Sequence, residues 1–174
     1  MSAREDQLFV ELFAQYFTYV WNALRRLGVH DRDREDLAQE VFMRVASSLA
    51  TYDETRPPRP WLFAFAFHVA SDYRRLARHR VEIYEDAPDV HGDAPLADDS
   101  LDAARRRDML ARGLDALDLP KRAVLVLHDL EGVPIPEVAR ALAIAEGTAS
   151  SRLRAARQEL ADWVRREQLR TRKP

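Results

Sequence analysis

The sequence predicts an all-α protein: two small helical domains joined by an acidic, flexible linker. Three observations carry that expectation. Apolar residues recur at helical spacing through most of the chain. Glycine is scarce, five in 174 residues, and no run of alternating β-branched residues marks a strand. The helical period fails in one central stretch, where proline and acid collect. A hydrophobic content of 47% is enough for packed cores. Cysteine is absent, which excludes disulfides, thiolate catalysis and cysteine-based zinc sites. The opening residues MSAREDQ lack the apolar core of a signal peptide, and the apolar run 60–67 is too short to span a bilayer. A soluble, cytoplasmic protein without membrane insertion is expected.

Residues 5–27 read as a first helix. Leu8, Leu12, Tyr16, Tyr19 or Val20, Ala23 and Leu27 keep the period, and Gly28 offers a stop. Asp31 or Asp33 can cap a second helix that runs to about Leu49, with Leu37, Val41, Met43 or Arg44, Val45 and Leu49 on its apolar line. Asp33, Glu35 and Asp36 stand where the helix dipole favours acids. Gln39, Glu40 and Phe42 are then expected side by side on a mostly outward surface. A polar face with one exposed aromatic suits a protein partner. Asp31-x-Asp33 begins like a calcium loop, but Asp36 stands where that loop needs glycine and Phe42 where it needs glutamate. No metal site is expected. Pro57 and Pro58 make residues 50–58 a loop.

The third helix, Arg59 to Arg80, is aromatic and apolar in its first half and arginine-rich in its second. Pro60 fits its first turn. Leu62, Phe65, Val69, Tyr73 and Leu76 form one stripe, the expected core face. Phe63, Phe67, Arg74 and Arg78 form a second. Rings beside guanidinium groups suit unwound nucleic acid, because rings stack on bases and arginine neutralises phosphate. The same pattern also fits a core helix with a solvated basic end.

Residues 81–100 carry Pro88, Gly92 and Pro95 among acids, and read as a linker. Beyond it, residues 101–117 form a helix. Asp118 caps the next, with Pro120 in its first turn, and that helix runs from Lys121 to Leu130 until Glu131-Gly132. Pro134 and Pro136 open another, with Val138, Ala139 and Leu142 inward. Ala143 to Gly147 is a turn, and Thr148 can cap the last helix, whose inward line is Ala149, Leu153, Ala156, Leu160 and Trp163. The domains are thus 1–80 and 101–174.

A short helix, a turn and a helix starting Gly147-Thr148-Ala149-Ser150-Ser151-Arg152 make a helix-turn-helix. Thr148, Ser150 and Ser151 are small hydrogen-bonding groups that can enter a major groove. Arg152, Arg154 and Arg157 can reach base edges or phosphates. Charge supports two nucleic-acid surfaces. Residues 1–58 carry net −3, 59–80 net +4, 81–104 net −8 and 105–174 net +5.

The chain resembles a bacterial RNA polymerase sigma factor of the extracytoplasmic-function (ECF) type, in the sigma-70 family. Asp36-Leu37-Ala38-Gln39-Glu40-Val41-Phe42 looks like the family's polymerase-binding motif. Arg59 to Arg80, with Trp61-Leu62 and Asp72-Tyr73-Arg74-Arg75, is similar to its segment for melting and reading the −10 element. Leu119-Pro120 through Gly132, Val138-Ala139 and Gly147-Thr148 through Arg157 look like its −35-binding domain. The family usually has Asn where His68 stands, a basic residue at Ser150 and Arg at Ala155, and Pro134 and Pro136 are unusual. These departures bear on which promoter is read.

The resemblance implies that Asp36, Gln39, Glu40 and Phe42 dock on the polymerase clamp. It implies that the Tyr52–Arg59 loop holds a flipped base of the −10 element, at an unstacking cost of a few kcal/mol. Trp61, Phe63, Phe67 and His68 would lie along the opened strand, and Arg74, Arg75 and Arg78 on the upstream duplex. The second domain would bind the polymerase flap and the −35 duplex. An anti-sigma factor is a further implied partner, and neither cofactor nor catalysis is implied. The competing readings are a stand-alone helix-turn-helix regulator, which binds duplex without polymerase, and a helical adaptor that binds only proteins.

Overall fold

The computed structural model describes residues 3–83 and 101–171, with side chains for residues 3–77 and 106–170. The chain divides into two compact units, Met1–His91 and Gly92–Pro174. Residues 84–100, most of the expected linker, lie outside the described residues; residues 81–83 belong to a helix.

In the first unit, α1 (Ala3–Arg26), α2 (Asp31–Ala46) and α3 (Pro58–Ile83) pack pairwise against one another. Gly28 ends α1 in the left-handed region, at φ 86°. There the Val29 N–H donates to the Leu24 carbonyl and the Gly28 N–H to the Arg25 carbonyl, both at 3.0 Å. Neither expected aspartate caps α2. His30 holds the cap position without a side-chain bond. Asp31 instead pairs with Arg34 at 3.0 Å, and Asp33 accepts the Tyr73 hydroxyl at 2.7 Å. α2 also stops three residues short of Leu49. Ser47 donates its hydroxyl back to the Met43 carbonyl at the helix end, and Leu49 falls in a short 3₁₀ turn, Leu49–Thr51.

The core face of α3 differs from the expected stripe. Leu62, Phe63, Ala66, Val69 and Ala70 are fully buried, whereas Phe65 and Tyr73 are half-buried and Leu76 is exposed. The cause is that α3 packs on two helices at once. Two neighbours bury a wider arc than one stripe, and small residues let them approach.

In the second unit, α4 (Leu101–Asp115), α5 (Leu119–Leu125), α6 (Ile135–Ala141) and α7 (Glu146–Thr171) pack with α7 as the common partner. Asp118 caps α5 as expected, accepting the Lys121 N–H at 2.9 Å. A π turn, Val126–Leu130, continues α5, and Gly132 ends it at φ 71°. Thr148 does not cap α7, which begins earlier, at Glu146. The turn before it is made by Ala143, at φ 52°, and by the Ile144 N–H donating to the Ala139 carbonyl at 2.9 Å. Leu127, Val138, Ala149, Leu153 and Ala156 close the core.

Tyr73 ties α3 to the start of α2. Burial, and then the bond to Asp33, push its hydroxyl up to about 12 from 10.0. The folded chain therefore holds this proton more tightly than the unfolded chain. The resulting stability is complete below about pH 10 and is lost as pH rises from 10 toward 12. Denaturant titrations across that window should show a flatter pH dependence for Tyr73→Phe than for the wild type. Equal slopes would remove the tyrosine as the source.

Candidate polymerase and promoter interface

On α2, Asp36 and Gln39 are exposed. Glu40 is half-buried and accepts from Arg44 Nη2 at 2.6 Å. The same nitrogen lies 3.1 Å from Asp72 Oδ2 on α3, and Arg75 Nη2 lies 3.3 Å from Asp72 Oδ1. An ionic chain thus runs from Glu40 through Arg44 and Asp72 to Arg75. Burial lowers the Arg44 pKa, but the bonds to Asp72 and Glu40 outweigh it and raise the value.

Phe42 corrects the expectation of an exposed aromatic. It is 1% exposed. Its ring meets Phe13 edge-on with centroids 4.9 Å apart, stacks on Phe17 at 6.1 Å and meets Phe9 at 6.3 Å. The exposed apolar groups of these two helices are instead Val10, Phe13 and Met43.

At the start of α3, Tyr52 and Trp61 lie ring on ring with centroids 4.5 Å apart, and Phe65 meets the Trp61 edge at 5.1 Å. The Tyr52 hydroxyl donates to the Arg56 carbonyl at 2.9 Å, which folds the loop onto the rings. Arg59 is held by a residue that local sequence reasoning missed. Tyr19 donates its hydroxyl to the Arg59 carbonyl at 3.2 Å, and the Arg59 guanidinium sits 5.4 Å over the Tyr19 ring. Phe63 is a second correction. It is fully buried and cannot stack on an opened strand without unfolding the core. Phe67 is half-buried beside the exposed His68, with centroids 5.6 Å apart. Arg74 is half-buried and Arg75 exposed. The Arg78 side chain lies outside the described residues.

On α7, Ser150, Ser151 and Arg154 are exposed, while Thr148 and Arg152 are half-buried. Ser151 donates to the Thr148 carbonyl at 3.0 Å. An open groove runs along the outer face, lined by Ile135, Ser150, Leu153, Arg154, Arg157 and Gln158. Ile135 and Gln158 were not expected there. Helical spacing of 150, 154 and 158 could have found Gln158; Ile135 comes from another helix and left no local signal. Arg157 is gripped by Asp129 of the π turn through Nε at 2.9 Å and Nη2 at 2.6 Å. That bond, more than any other influence, lowers the Asp129 pKa.

Among the described residues no group of His, Cys, Asp and Glu could hold a metal ion. No helix among them is long and apolar enough to cross a membrane.

Residues 12–80 match the sigma-70 region 2 family, and residues 107–160 match sigma-70 region 4. The ECF RNA polymerase sigma factor SigL of Mycobacterium tuberculosis (strain H37Rv) is 32% identical over 154 residues, covering 87% of this chain and 86% of the relative. The ECF RNA polymerase sigma factor SigE of Mycolicibacterium smegmatis is 33% identical over 156 residues, or 88% of this chain; the match spans 60% of that longer relative. Among solved structures, CnrH in complex with the cytosolic domain of CnrY aligns with a TM-score of 0.63 at 27% identity, covering 91% of this chain and 88% of that one. CnrH is a sigma factor of Cupriavidus metallidurans. The chain belongs to the family of ECF RNA polymerase sigma factors, with sigma-70 regions 2 and 4 on its two helical units, and is an alternative sigma factor directing promoter-specific transcription.

The burial of Phe42 generates a prediction. Phe42→Ala should cost about 3–5 kcal/mol of folding free energy, because it empties the space beneath three phenylalanines. Denaturant unfolding of the full chain reads it. A loss within about 0.5 kcal/mol, the range of a surface substitution, would return Phe42 to the surface.

Proposed function

We propose that the two units divide promoter recognition between them, with residues 1–80 on core polymerase and the −10 element, 101–174 on the −35 element and the polymerase flap, and 81–100 as the tether. Asp36 and Gln39 meet the polymerase clamp directly. Glu40 contributes through its bond to Arg44, and Phe42 supports that face from beneath. Tyr52, Arg59 and Trp61 form the base-holding end of α3, followed by Phe67 and His68. Arg74, Arg75 and Arg78 follow along the duplex. Thr148, Ser150, Ser151, Arg152 and Arg154 face the −35 duplex. The reading makes this a cytoplasmic binding protein and assigns it no catalytic residue. CnrH has been solved with the cytosolic domain of CnrY on it. By that likeness we include an anti-sigma factor among the partners.

One observation carries the reading. On α7, Ala149, Leu153 and Ala156 are buried while Ser150, Ser151 and Arg154 face outward. A helix whose first turns offer hydroxyls and a guanidinium, and whose other face is dry, is built to be read against a groove.

In vitro transcription with purified core polymerase tests the reading. Initiation from defined start sites is expected only when the chain is added. Sequence-specific duplex binding without polymerase, and no start sites with it, would favour the stand-alone regulator. Asp36→Ala combined with Gln39→Ala should weaken core binding by about 1–2 kcal/mol. The circular dichroism spectrum should stay unchanged, since both side chains are exposed. An unchanged affinity would move the polymerase contact off α2.

A further inference from the structure

We propose that Asp129 is a specificity-determining residue of the −35 interface: it cancels the charge of Arg157 and so leaves Arg154 as the acting guanidinium of the groove. The proposal rests on the reading that α7 faces duplex DNA.

Arg154 and Arg157 lie one helical turn apart and line the same groove. Their circumstances differ. Arg157 gives two parallel N–H bonds, at 2.9 and 2.6 Å, to the two oxygens of Asp129. A phosphate would offer the same two-pronged geometry, so DNA must compete with a carboxylate already in place. Arg154 has no carboxylate partner among the described residues.

Asp129 comes from the π turn, outside the recognition helix. It also has His128 Nε2 at 3.9 Å, while His128 Nδ1 faces the Val133 carbonyl at 2.8 Å. The Asp129–Arg157 pair has no net charge. A paired Arg157 therefore releases no counterion when DNA arrives, and adds nothing to sequence-independent affinity. What remains is weighted toward base edges, through Arg154 and the serines. Asp129 thus lowers affinity for DNA in general more than for the right promoter.

The test titrates the full chain against a random-sequence duplex, and its holoenzyme with core polymerase against a promoter duplex, from about 50 to about 200 mM salt. Asp129→Asn should tighten binding to the random duplex several-fold. It should also steepen the plot of log K against log salt by about 0.9, the value of one added phosphate contact. The ratio of promoter to random affinity should fall. Adding Arg157→Gln to Asp129→Asn should restore the wild-type slope. The double variant leaves the site neutral, as the pair does in the wild type, and it decides the matter if Asp129→Asn alone does not fold. An unchanged slope in Asp129→Asn overturns the proposal, as does a slope about 0.9 shallower than the wild type in the double variant. So does a failure of both the wild type and Asp129→Asn to bind DNA. A wild type that binds DNA but directs no start site sinks the sigma reading instead, and leaves the slopes to judge Asp129.

Discussion

The ring of Phe42, shut beneath Phe9, Phe13 and Phe17, is the contact on which the first unit turns. Burying a side chain of that size contributes about 1.5–3 kcal/mol from area alone. The ion pair that also joins α2 to a neighbour, Arg44 to Asp72, is between half-exposed groups and contributes about 0.2–1 kcal/mol. Apolar burial therefore sets the roll of α2, and the ionic chain only trims it. Once α2 is rolled so that Phe42 points inward, Asp36 and Gln39 must point outward. The outward surface that we propose for polymerase is a by-product of where one phenylalanine goes.

Among the described residues, each unit also buries one arginine. Arg34 donates Nε to the Val29 carbonyl at 3.1 Å, pairs with Asp31 and lies 4.6 Å over the Trp21 ring. It thereby ties the turn between α1 and α2 to both helices. Arg122 is fully buried, with Nη1 2.8 Å from Asp115, and ties α5 to the end of α4. Desolvating a guanidinium costs several kcal/mol, which a partner only offsets. Such groups are weak sources of stability. What they do supply is a single allowed geometry, since any other packing leaves the charge without its acid.

The helix order, the Asp118 cap, the Gly28 and Gly132 stops and the helix-turn-helix were all legible in the sequence, because each rests on residues within a turn or two of one another. The two burial errors share a cause. Phe42 and Phe63 were placed outward by helical spacing, yet their burial depends on helices far along the chain. Three phenylalanines of α1 cover Phe42, and α3 is wrapped on two sides so that Phe63 is included. Ala66 and Ala70, among the most buried positions of α3, carried no visible signal; alanine marks a close approach only once the neighbour is known. Arg34 and Arg122 look like surface cations in a sequence, and nothing local tells a paired buried arginine from a solvated one. The π turn left no mark either, although it carries Asp129 to Arg157.

That last point changes what net charge means for this chain. By sequence, residues 59–80 and 105–174 carry +4 and +5, and each arginine counts equally. In the structure Arg75 shares Asp72 with Arg44, Arg112 pairs with Glu167, and Arg122 and Arg157 pair with Asp115 and Asp129. An arginine with its own carboxylate sets the position of helices and neighbours; an arginine without one is left to attract a phosphate. Arg74 and Arg154, which have no carboxylate partner among the described residues, belong to the second kind. On the proposed reading, two interfaces that depend on a few uncompensated cations would bind nucleic acid less tightly than their composition suggests, and discriminate better. Both properties suit a subunit that has to leave most DNA alone and open only one kind of site.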